Sequence, residues 1–296
     1  MMIRILLCCC LWLMPASAHA LKIAMVLWRG ETAAEQGFRD ELKKLGLKPV
    51  MTVFNANQDR TALATMLRTK LEPHLASYDY VYSFGTTATL MSKSLLLGRK
   101  PLIFNAVYDP IGAGIVSVNK EDNKMVAGVS NMVFLPLQMS NARKYLPKGS
   151  KMLLPVNPRE RNTQLIAEQL KSVAADYQWA LETWRINPDK ALLKTELLRL
   201  QQDAKESVVF IPADSYLISV APELMRALNE VRIASICSIE AFILYHCTVG
   251  TVSDYRVQGM LAARIIAMHQ KGTALQDIPV QYDPNPRLIA GNVNRP

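Results

Sequence analysis

The amino-acid sequence predicts an α/β fold of two doubly wound, Rossmann-like lobes, each a parallel sheet covered by helices on both faces, joined by a hinge. Three observations predict it. Short apolar segments of strand length alternate with longer amphipathic segments of helix length, which is typical of parallel β-α-β units. The alternation starts again near residue 151 after a first series. No low-complexity linker separates the two halves, which favours a hinge over a flexible tether.

The first half of the chain contains five predicted strands and three predicted helices. Its opening strand is a continuous apolar run, as expected for a strand buried on both faces. Gly46, Pro73 and Gly98 each follow a helical pattern and are residues that end helices. The predicted strands are 21–28, 49–54, 80–84, 102–107 and 125–129, and the predicted helices are 31–45, 60–71 and 86–97.

The second half repeats this rhythm without repeating the sequence. A late helix at 255–271, ended by Gly272, is expected to return to the first lobe, and segment 136–149 is expected to cross between lobes. The predicted strands are 151–156, 179–184, 207–211 and 233–237, with one or two short strands in 279–292, and the predicted helices are 161–177, 190–202 and 219–229.

These elements divide the chain into a signal segment and two discontinuous lobes. We predict a signal peptide at 1–20, an N-terminal lobe of 21–135 plus 253–275, a C-terminal lobe of 136–252, and hinge-crossing strands in 276–296.

The N-terminus has the features of a secretory signal peptide. Arg4 precedes an apolar run at 5–14, and the small-residue pair Ala18-x-Ala20 follows. The run is shorter than the ~20 residues that span a bilayer, which argues against a membrane anchor. Lipid attachment at one of the cysteines 8–10 is disfavoured, because the apolar run before them is short. We expect cleavage after Ala20 and a mature protein free in a bacterial periplasm.

Charge and composition favour a binding protein over an enzyme or a nucleic-acid-binding protein. Removal of Arg4 with the signal peptide leaves 33 basic and 25 acidic residues, a net charge of +8 spread along the chain. A solvated basic surface is favoured over attraction to an anionic membrane or an acidic partner. No metal-ligand spacing, serine elbow or Walker loop is found, so we expect neither a cofactor nor a metal. We expect a monomer.

Two cysteines remain after cleavage, Cys237 and Cys247. An oxidising compartment permits a disulfide between them. Two small buried thiols fit the sequence as well, since spacing along the chain does not show that two Cβ atoms meet. Both alternatives stay open at this level.

The candidate site follows from the rule that ligands bind beyond the carboxyl ends of parallel strands. Each candidate also has a simpler structural role: a core indole, a helix N-cap, a turn aspartate or a solvated charge. The candidates are Trp28 and Arg29 after the first strand, Thr86 and Thr87 after the third, Tyr108 and Asp109 after the fourth, and Asp214, Ser215 and Glu240 in the second lobe.

Several motifs resemble one family. The most specific is the block 101–116, Pro-Leu-Ile-Phe-Asn-Ala-Val-Tyr-Asp-Pro-Ile-Gly-Ala-Gly-Ile-Val. With the motifs that follow, the chain resembles the substrate-binding proteins of ABC transporters, including tryptophan- and tyrosine-type receptors, over about the whole mature length. The other motifs are Gln36–Gly46, Gly85–Thr89, Val126–Ser130, Asn157-Pro158-x-Glu160-x-Asn162, Pro212-x-Asp214-Ser215, Gly250, Asp254-Tyr255 and Gly259.

The resemblance implies a type I periplasmic binding-protein architecture. A small ligand would bind between the lobes, favour a closed state, and be delivered to an inner-membrane ABC permease without chemical change. Thr86, Thr87, Asp109 and Asp214 would be the best contacts for an amino acid or similar zwitterion: hydroxyls and helix N–H groups for its carboxylate, carboxylates for its amine. Trp28 or Tyr108 would then contact an apolar side chain.

The chain also departs from the family pattern. Trp28-Arg29-Gly30 replaces a common His-Pro turn, Asp214-Ser215 replaces Asp-Asn, and the family's last helix has no counterpart before Pro296. Two alternatives therefore remain. One is a ligand sensor of the same fold that signals to a membrane kinase or cyclase. The other is a periplasmic enzyme using carboxylates such as Asp109, Asp214 and Glu240.

Overall fold

The computed structural model describes residues 20–146 and 151–290 of the chain. The predicted signal peptide lies outside the described residues apart from Ala20, which is exposed. Part of the expected crossing at 136–149 and the last six residues also lie outside them. Within the described ranges no helix is both long and apolar enough to span a membrane.

Two six-stranded sheets form the framework. The first is parallel throughout, in the order β11-β5-β4-β3-β1-β2, and the second, in the order β12-β10-β9-β8-β6-β7, is parallel except for its β10–β12 edge pair. The strands are β1 (Lys22–Leu27), β2 (Val50–Asn55), β3 (Tyr80–Phe84), β4 (Leu102–Val107), β5 (Val126–Ser130), β6 (Lys151–Val156), β7 (Ala180–Arg185), β8 (Ser207–Ile211), β9 (Ala234–Cys237), β10 (Val249–Val252), β11 (Gln281–Tyr282) and β12 (Arg287–Ala290).

Helices cover both faces of each sheet. The first sheet has a separate hydrophobic cluster on each face, and the second lobe has one large cluster around its sheet. This arrangement confirms the predicted class of two doubly wound α/β lobes. The α-helices are α1 (Ala33–Lys44), α2 (Arg60–Met66), α3 (Thr86–Leu96), α4 (Leu135–Ala142), α5 (Arg161–Asp176), α6 (Leu193–Asp203), α7 (Ser215–Ser219), α8 (Ala221–Glu230) and α9 (Tyr255–Gln270).

Elements that differ from the sequence expectation include α4, the segment after α2, and β10. The segment expected to be a crossing contains α4, which starts with Pro136 in its first turn and buries Leu135 and Met139 in the second lobe's core. The helix expected at 60–71 leaves α geometry after Met66 and continues as a π turn and a 3₁₀ helix. Strand β10 was not predicted; its four residues include Gly250, a residue type that is depleted in strands.

Helix α9 follows the second sheet in the chain but packs against α1 of the first lobe. Two glycines allow the close approach: a Cβ on Gly259 would overlap the carbonyl oxygen of Ala34, and one on Gly37 would overlap that of Arg256. The buried Glu41 of α1 pairs with Arg264 of α9, with Oε1 and Nε 2.7 Å apart. The two helix backbones therefore meet directly, with a charged pair beside them.

The chain passes between the two sheets after β5, between β10 and α9, and between β11 and β12. A polar network links the last two crossings. Asp254 N donates to Asp283 Oδ2 at 2.8 Å, and Arg287 contacts both Asp254 Oδ2 at 3.2 Å and Glu240 Oε1 at 2.7 Å. These bonds hold the start of α9 and the segment that leads into β12 in one position at the hinge.

Cys237 and Cys247 form a disulfide, which resolves the alternative left open by the sequence. Cys237 ends β9 and Cys247 precedes β10, so the bridge closes the loop containing the short 3₁₀ helix Glu240–Tyr245. Closing a loop of this length contributes roughly 2–3 kcal/mol by the chain-entropy model. The loop carries Glu240 to the hinge network.

The α1–α9 contact makes a testable prediction for Gly259→Ala. In an open helix this change stabilises by up to ~1 kcal/mol. Here the added methyl overlaps backbone of α1, and overpacking of this kind costs about 1–3 kcal/mol. We expect a lower free energy of unfolding in urea titrations followed by circular dichroism. A variant more stable than the wild type would show that the two helices are not in backbone contact.

Candidate ligand-binding site between the lobes

The carboxyl ends of the two sheets face each other across an interlobe cavity of about 50 Å³. Both lobes contribute to its wall. From the first sheet come Trp28, Arg29, Phe84, Gly85, Thr86, Ala106, Tyr108 and Asn131, from the second lobe Asn162, Ala213, Asp214, Ser215, Ile218 and Ile239, and from α9 Tyr255. The switch-point rule used on the sequence thus locates the cavity in the fold.

Direct contacts close the cleft around the cavity. Asn162 Nδ2, on α5, donates to Thr86 Oγ1 at the start of α3, 3.3 Å away. Tyr108, at the end of β4, packs into the hydrophobic cluster of the second lobe. The structure therefore has the lobes in contact.

Four buried polar atoms on the wall have no hydrogen-bond partner in the described protein. They are Trp28 Nε1, the Tyr108 hydroxyl, Asn131 Oδ1 and Asn162 Oδ1. The indole is a donor, the amide oxygens are acceptors and the hydroxyl can be either. A buried polar group left unpaired costs ~1–3 kcal/mol. Four such atoms around one cavity can form hydrogen bonds to a polar ligand.

Arg29 supplies a positive charge to the wall. Its guanidinium carbon lies 5.4 Å from the centre of the Phe84 ring and 5.1 Å from that of Tyr255, which favours a cation by interaction with the ring faces. Burial raises the pKa of the Tyr255 hydroxyl, and the Arg29 charge acts in the opposite direction. No described carboxylate lies within 4.0 Å of Arg29. The cation remains available to an anionic group.

The start of α3 adds further donors beside Arg29. Gly85 is the N-cap and has no side chain to accept from the first-turn N–H groups, which are free at any helix start. Its φ of +91° is a conformation that favours glycine. A Cβ at this position would also lie only 3.2 Å from Trp28 Cβ. Thr86 presents its hydroxyl to the cavity.

A buried polar network supports the cavity wall at Ala106. This residue has a left-handed φ of +54° at an irregularity in the β4–β5 pairing. Its N–H donates to Asn105 Oδ1 at 2.8 Å, Asn105 Nδ2 donates to the Tyr82 hydroxyl at 2.9 Å, and Tyr82 donates to Glu35 Oε1 at 2.8 Å. Burial raises the pKa of both Glu35 and Tyr82. The network holds a strained backbone residue in place.

The second lobe contributes two carboxyl groups, the buried Asp214 on the cavity wall and the half-buried Glu160 close to it. Asp214 Oδ1 accepts from Leu217 N at 2.7 Å and Oδ2 from Asn157 Nδ2 at 2.9 Å. Burial raises the pKa of Asp214 to about 6. Burial, and then the charge of Asp214, raise that of Glu160 to about 7, although Ser215 donates to Glu160 through its backbone and side chain. The two carboxyls flank Ser215.

Three predicted residues lie away from the cavity wall. Thr87 lies in an adjoining pocket of about 560 Å³, here named the outer pocket. Asp109 Oδ1 accepts from Gly112 N at 2.8 Å and closes its own turn. Glu240 accepts from Tyr255 N at 2.8 Å and pairs with Arg287, so it belongs to the hinge network.

Nine wall residues were absent from the predicted set, and four of them carry an aromatic ring or an amide: Phe84, Asn131, Asn162 and Tyr255. Asn162 and Tyr255 are members of motifs quoted for the family resemblance, and that signal could have found them. Asn131 directly follows β5, so the strand-end rule reaches it too. Among the described residues no group of three His, Cys, Asp or Glu is arranged to hold a metal ion.

Comparison with known proteins places the chain in a family. Residues 23–294 match the family model of ABC transporter substrate binding proteins. The chain belongs to this family. The resemblance drawn from the sequence motifs is therefore confirmed. Proteins of this family generally act outside the cytoplasm and bind their solutes without converting them.

Individual relatives are distant in sequence and close in fold. A tyrosine-binding protein of Clostridioides difficile is 23% identical over 180 residues, 61% of this chain and 51% of its own length, so the chain spans about half of that curated relative. An ABC domain from Streptococcus pneumoniae in complex with L-Trp superposes with a TM-score of 0.79 at 20% identity, covering 90% of this chain and 91% of that one.

A ligand-free, open substrate-binding protein with adhesive properties from Clostridium difficile gives a TM-score of 0.70 at 19% identity, covering 92% of each chain. These likenesses confirm the type I periplasmic binding-protein fold.

The raised pKa of Glu160 predicts a pH dependence of stability. A carboxyl whose pKa rises from 4.5 to about 7 on folding stabilises the fold fully below pH 4.5, and this contribution is lost as the pH rises to about 7. Glu160→Gln removes the titration. We expect the melting temperature of the variant, relative to the wild type, to rise between pH 5 and pH 8 in scanning fluorimetry.

The matched control is Glu168→Gln, an exposed carboxylate on the same helix. Its melting temperature relative to the wild type should stay level across the same range. If the difference in melting temperature between Glu160→Gln and the wild type also stays level, burial does not disfavour the charged form of Glu160.

Proposed function

We propose that this protein captures a small zwitterionic solute in the periplasm and delivers it to an ABC permease of the inner membrane. In this proposal the signal peptide is removed after Ala20 and the mature chain begins at Leu21 as a monomer. The lobes close on the solute, the permease recognises the closed form, and the solute leaves chemically unchanged. Solute and closed form stabilise each other, because the ligand binds the closed state more tightly.

One observation carries the proposal: four unpartnered buried polar atoms and the unpaired cation of Arg29 converge on one interlobe cavity. In a folded core most buried polar groups are paired within the protein. A binding site leaves them for its ligand, whose polar groups take the place of water. Because the wall comes from both lobes, a bound solute bridges them and favours closure.

The polarity of the wall supports a zwitterion such as an amino acid. Arg29, Thr86 and the N-terminus of α3 offer donors on the first-lobe side, where a carboxylate would bind. Asn162 Oδ1 and Asp214 offer acceptors on the second-lobe side, where an ammonium group would bind. Two similar proteins support this class, since one is named for tyrosine and the other holds L-Trp.

The wall also supports contact with an apolar portion of the solute. Phe84, Ile218 and Ile239 line the cavity, and Trp28 presents its indole where the cavity meets the outer pocket. Trp28 packs partly against the first lobe's core, so it is a core residue and a wall residue at once. Tyr108 and Ser215 complete the proposed contact set, and Thr87, Asp109 and Glu240 are left out of it.

The protein should carry its solute through purification. Protein expressed with its signal peptide and isolated from a periplasmic extract should show, by native mass spectrometry, a monomer starting at Leu21 with one small molecule bound. Removal of that molecule by partial unfolding and dialysis should increase the radius of gyration in X-ray scattering, and its return should reverse the change. A stripped protein with the same radius and no affinity for amino acids would contradict solute capture.

Tyr108→Phe tests the cavity wall without adding volume. The hydroxyl has no described protein partner, so its loss should leave the melting temperature unchanged or slightly higher. Affinity for the co-purified solute should fall by about 0.5–1.5 kcal/mol in calorimetry, the value of one hydrogen bond.

Ser238→Ala is the matched control. The Ser238 hydroxyl is also buried and without a partner in the described chain, but it does not line the cavity. Its loss should leave affinity as it is. Equal affinities for the two variants would place Tyr108 outside the ligand's reach.

A further inference from the structure

The outer pocket adjoins the cavity. Trp28 and Ser215 line both spaces. Like the cavity, the outer pocket has walls from both lobes: Arg60 belongs to α2 of the first lobe, whereas Arg159 and Lys190 belong to the second. It therefore forms only when the cleft is closed.

The sizes of the two spaces favour a ligand that occupies both. The cavity, at about 50 Å³, is far below the roughly 300–1,000 Å³ of most small-molecule sites. The outer pocket, at about 560 Å³, lies within that range. A solute held by the cavity's polar atoms therefore has room for its remaining atoms only past Trp28 and Ser215, in the outer pocket.

Charge sets the chemistry of that remaining part. Arg60, Arg159 and Lys190 all line the outer pocket, and no carboxylate in the described ranges lies within 4.0 Å of any of them. Glu160 is the one described carboxylate on this wall, where Ser215 donates to it and the Arg60 charge acts on it. The pocket is thus positively charged overall.

Closure brings these charges toward one another. Arg60 moves with one lobe and the other two cations with the second, so closing an empty cleft works against like-charge repulsion. An anionic group between them reverses the sign of this interaction. The same three side chains that oppose closure without a ligand then favour it.

We infer that the outer pocket is a subsite for a second anionic group, a carboxylate or a phosphate, at the far end of an elongated ligand whose other end binds in the cavity. This inference rests on the proposed function, because it assigns the outer part of the same site. The ligand would then be an acidic solute and not a plain aromatic amino acid.

Anion binding to the stripped mature protein tests the subsite directly. Succinate and inorganic phosphate serve as probes in isothermal titration calorimetry, at low ionic strength and fixed pH. The pocket variant is Arg60→Gln with Lys190→Gln. The control is Arg68→Gln with Lys194→Gln, which removes two exposed cations outside the pocket at the same total charge.

We expect the wild type to bind at least one probe with a millimolar or lower Kd, the pocket variant to bind it at least tenfold more weakly, and the control to stay within twofold of the wild type. The tighter probe distinguishes a carboxylate from a phosphate. No binding of either probe by the wild type, or equal loss in both variants, would overturn the subsite.

The identity and affinity of the co-purified solute provide a second, independent test of the subsite. Its identity should include a second acidic group, and its affinity should fall in the pocket variant and not in the control. A solute with one acidic group, bound equally by both variants, would reject the subsite while leaving solute capture intact.

Discussion

The site depends on the contact between α1 and α9, the point at which the chain returns from the second lobe to the first. Gly37 and Gly259 let the two backbones touch, and no larger residue fits there. Because α9 begins at the hinge, this contact also sets the position of its first residue, Tyr255, which forms the cavity wall beside Arg29. A packing constraint in the first lobe's core thereby decides where an aromatic ring and a cation meet in the cleft.

The electrostatics of the cleft follow from which charges have partners. Many surface cations of the described chain form ion pairs, whereas Arg29 has aromatic rings for neighbours and no described carboxylate. The second lobe places Asp214 on the cavity wall and Glu160 on the wall of the outer pocket, and the pKa values of both are raised because burial disfavours their charged forms. In the proposed function, closing the lobes removes water from both walls, which strengthens the attraction of each wall for a charged solute. Binding and closure would then be one coupled process.

Residues at the strand ends do not all line the cavity, even though they meet at one edge. Asp109 closes a turn through Gly112, and Glu240 joins Arg287 and the start of α9 in the hinge network. Both residues satisfy the strand-end rule that selects Trp28. The rule identifies the correct edge of each sheet, but a carboxylate there also satisfies backbone N–H groups, and local geometry decides between the two uses.

The sequence by itself determined the two-lobed α/β fold, the family and the edge at which the cavity lies, because apolar periodicity and strand-end motifs are local properties of the chain. Tertiary structure alone decided the Cys237–Cys247 bridge and the role of α4, which depend on distances between segments. It also decided that Asn131 and Tyr255 face the same space as Trp28, since these residues come from three segments that meet only in the folded protein. Which polar atoms remain without a partner is a property of the complete packing, and no local pattern in the sequence encodes it.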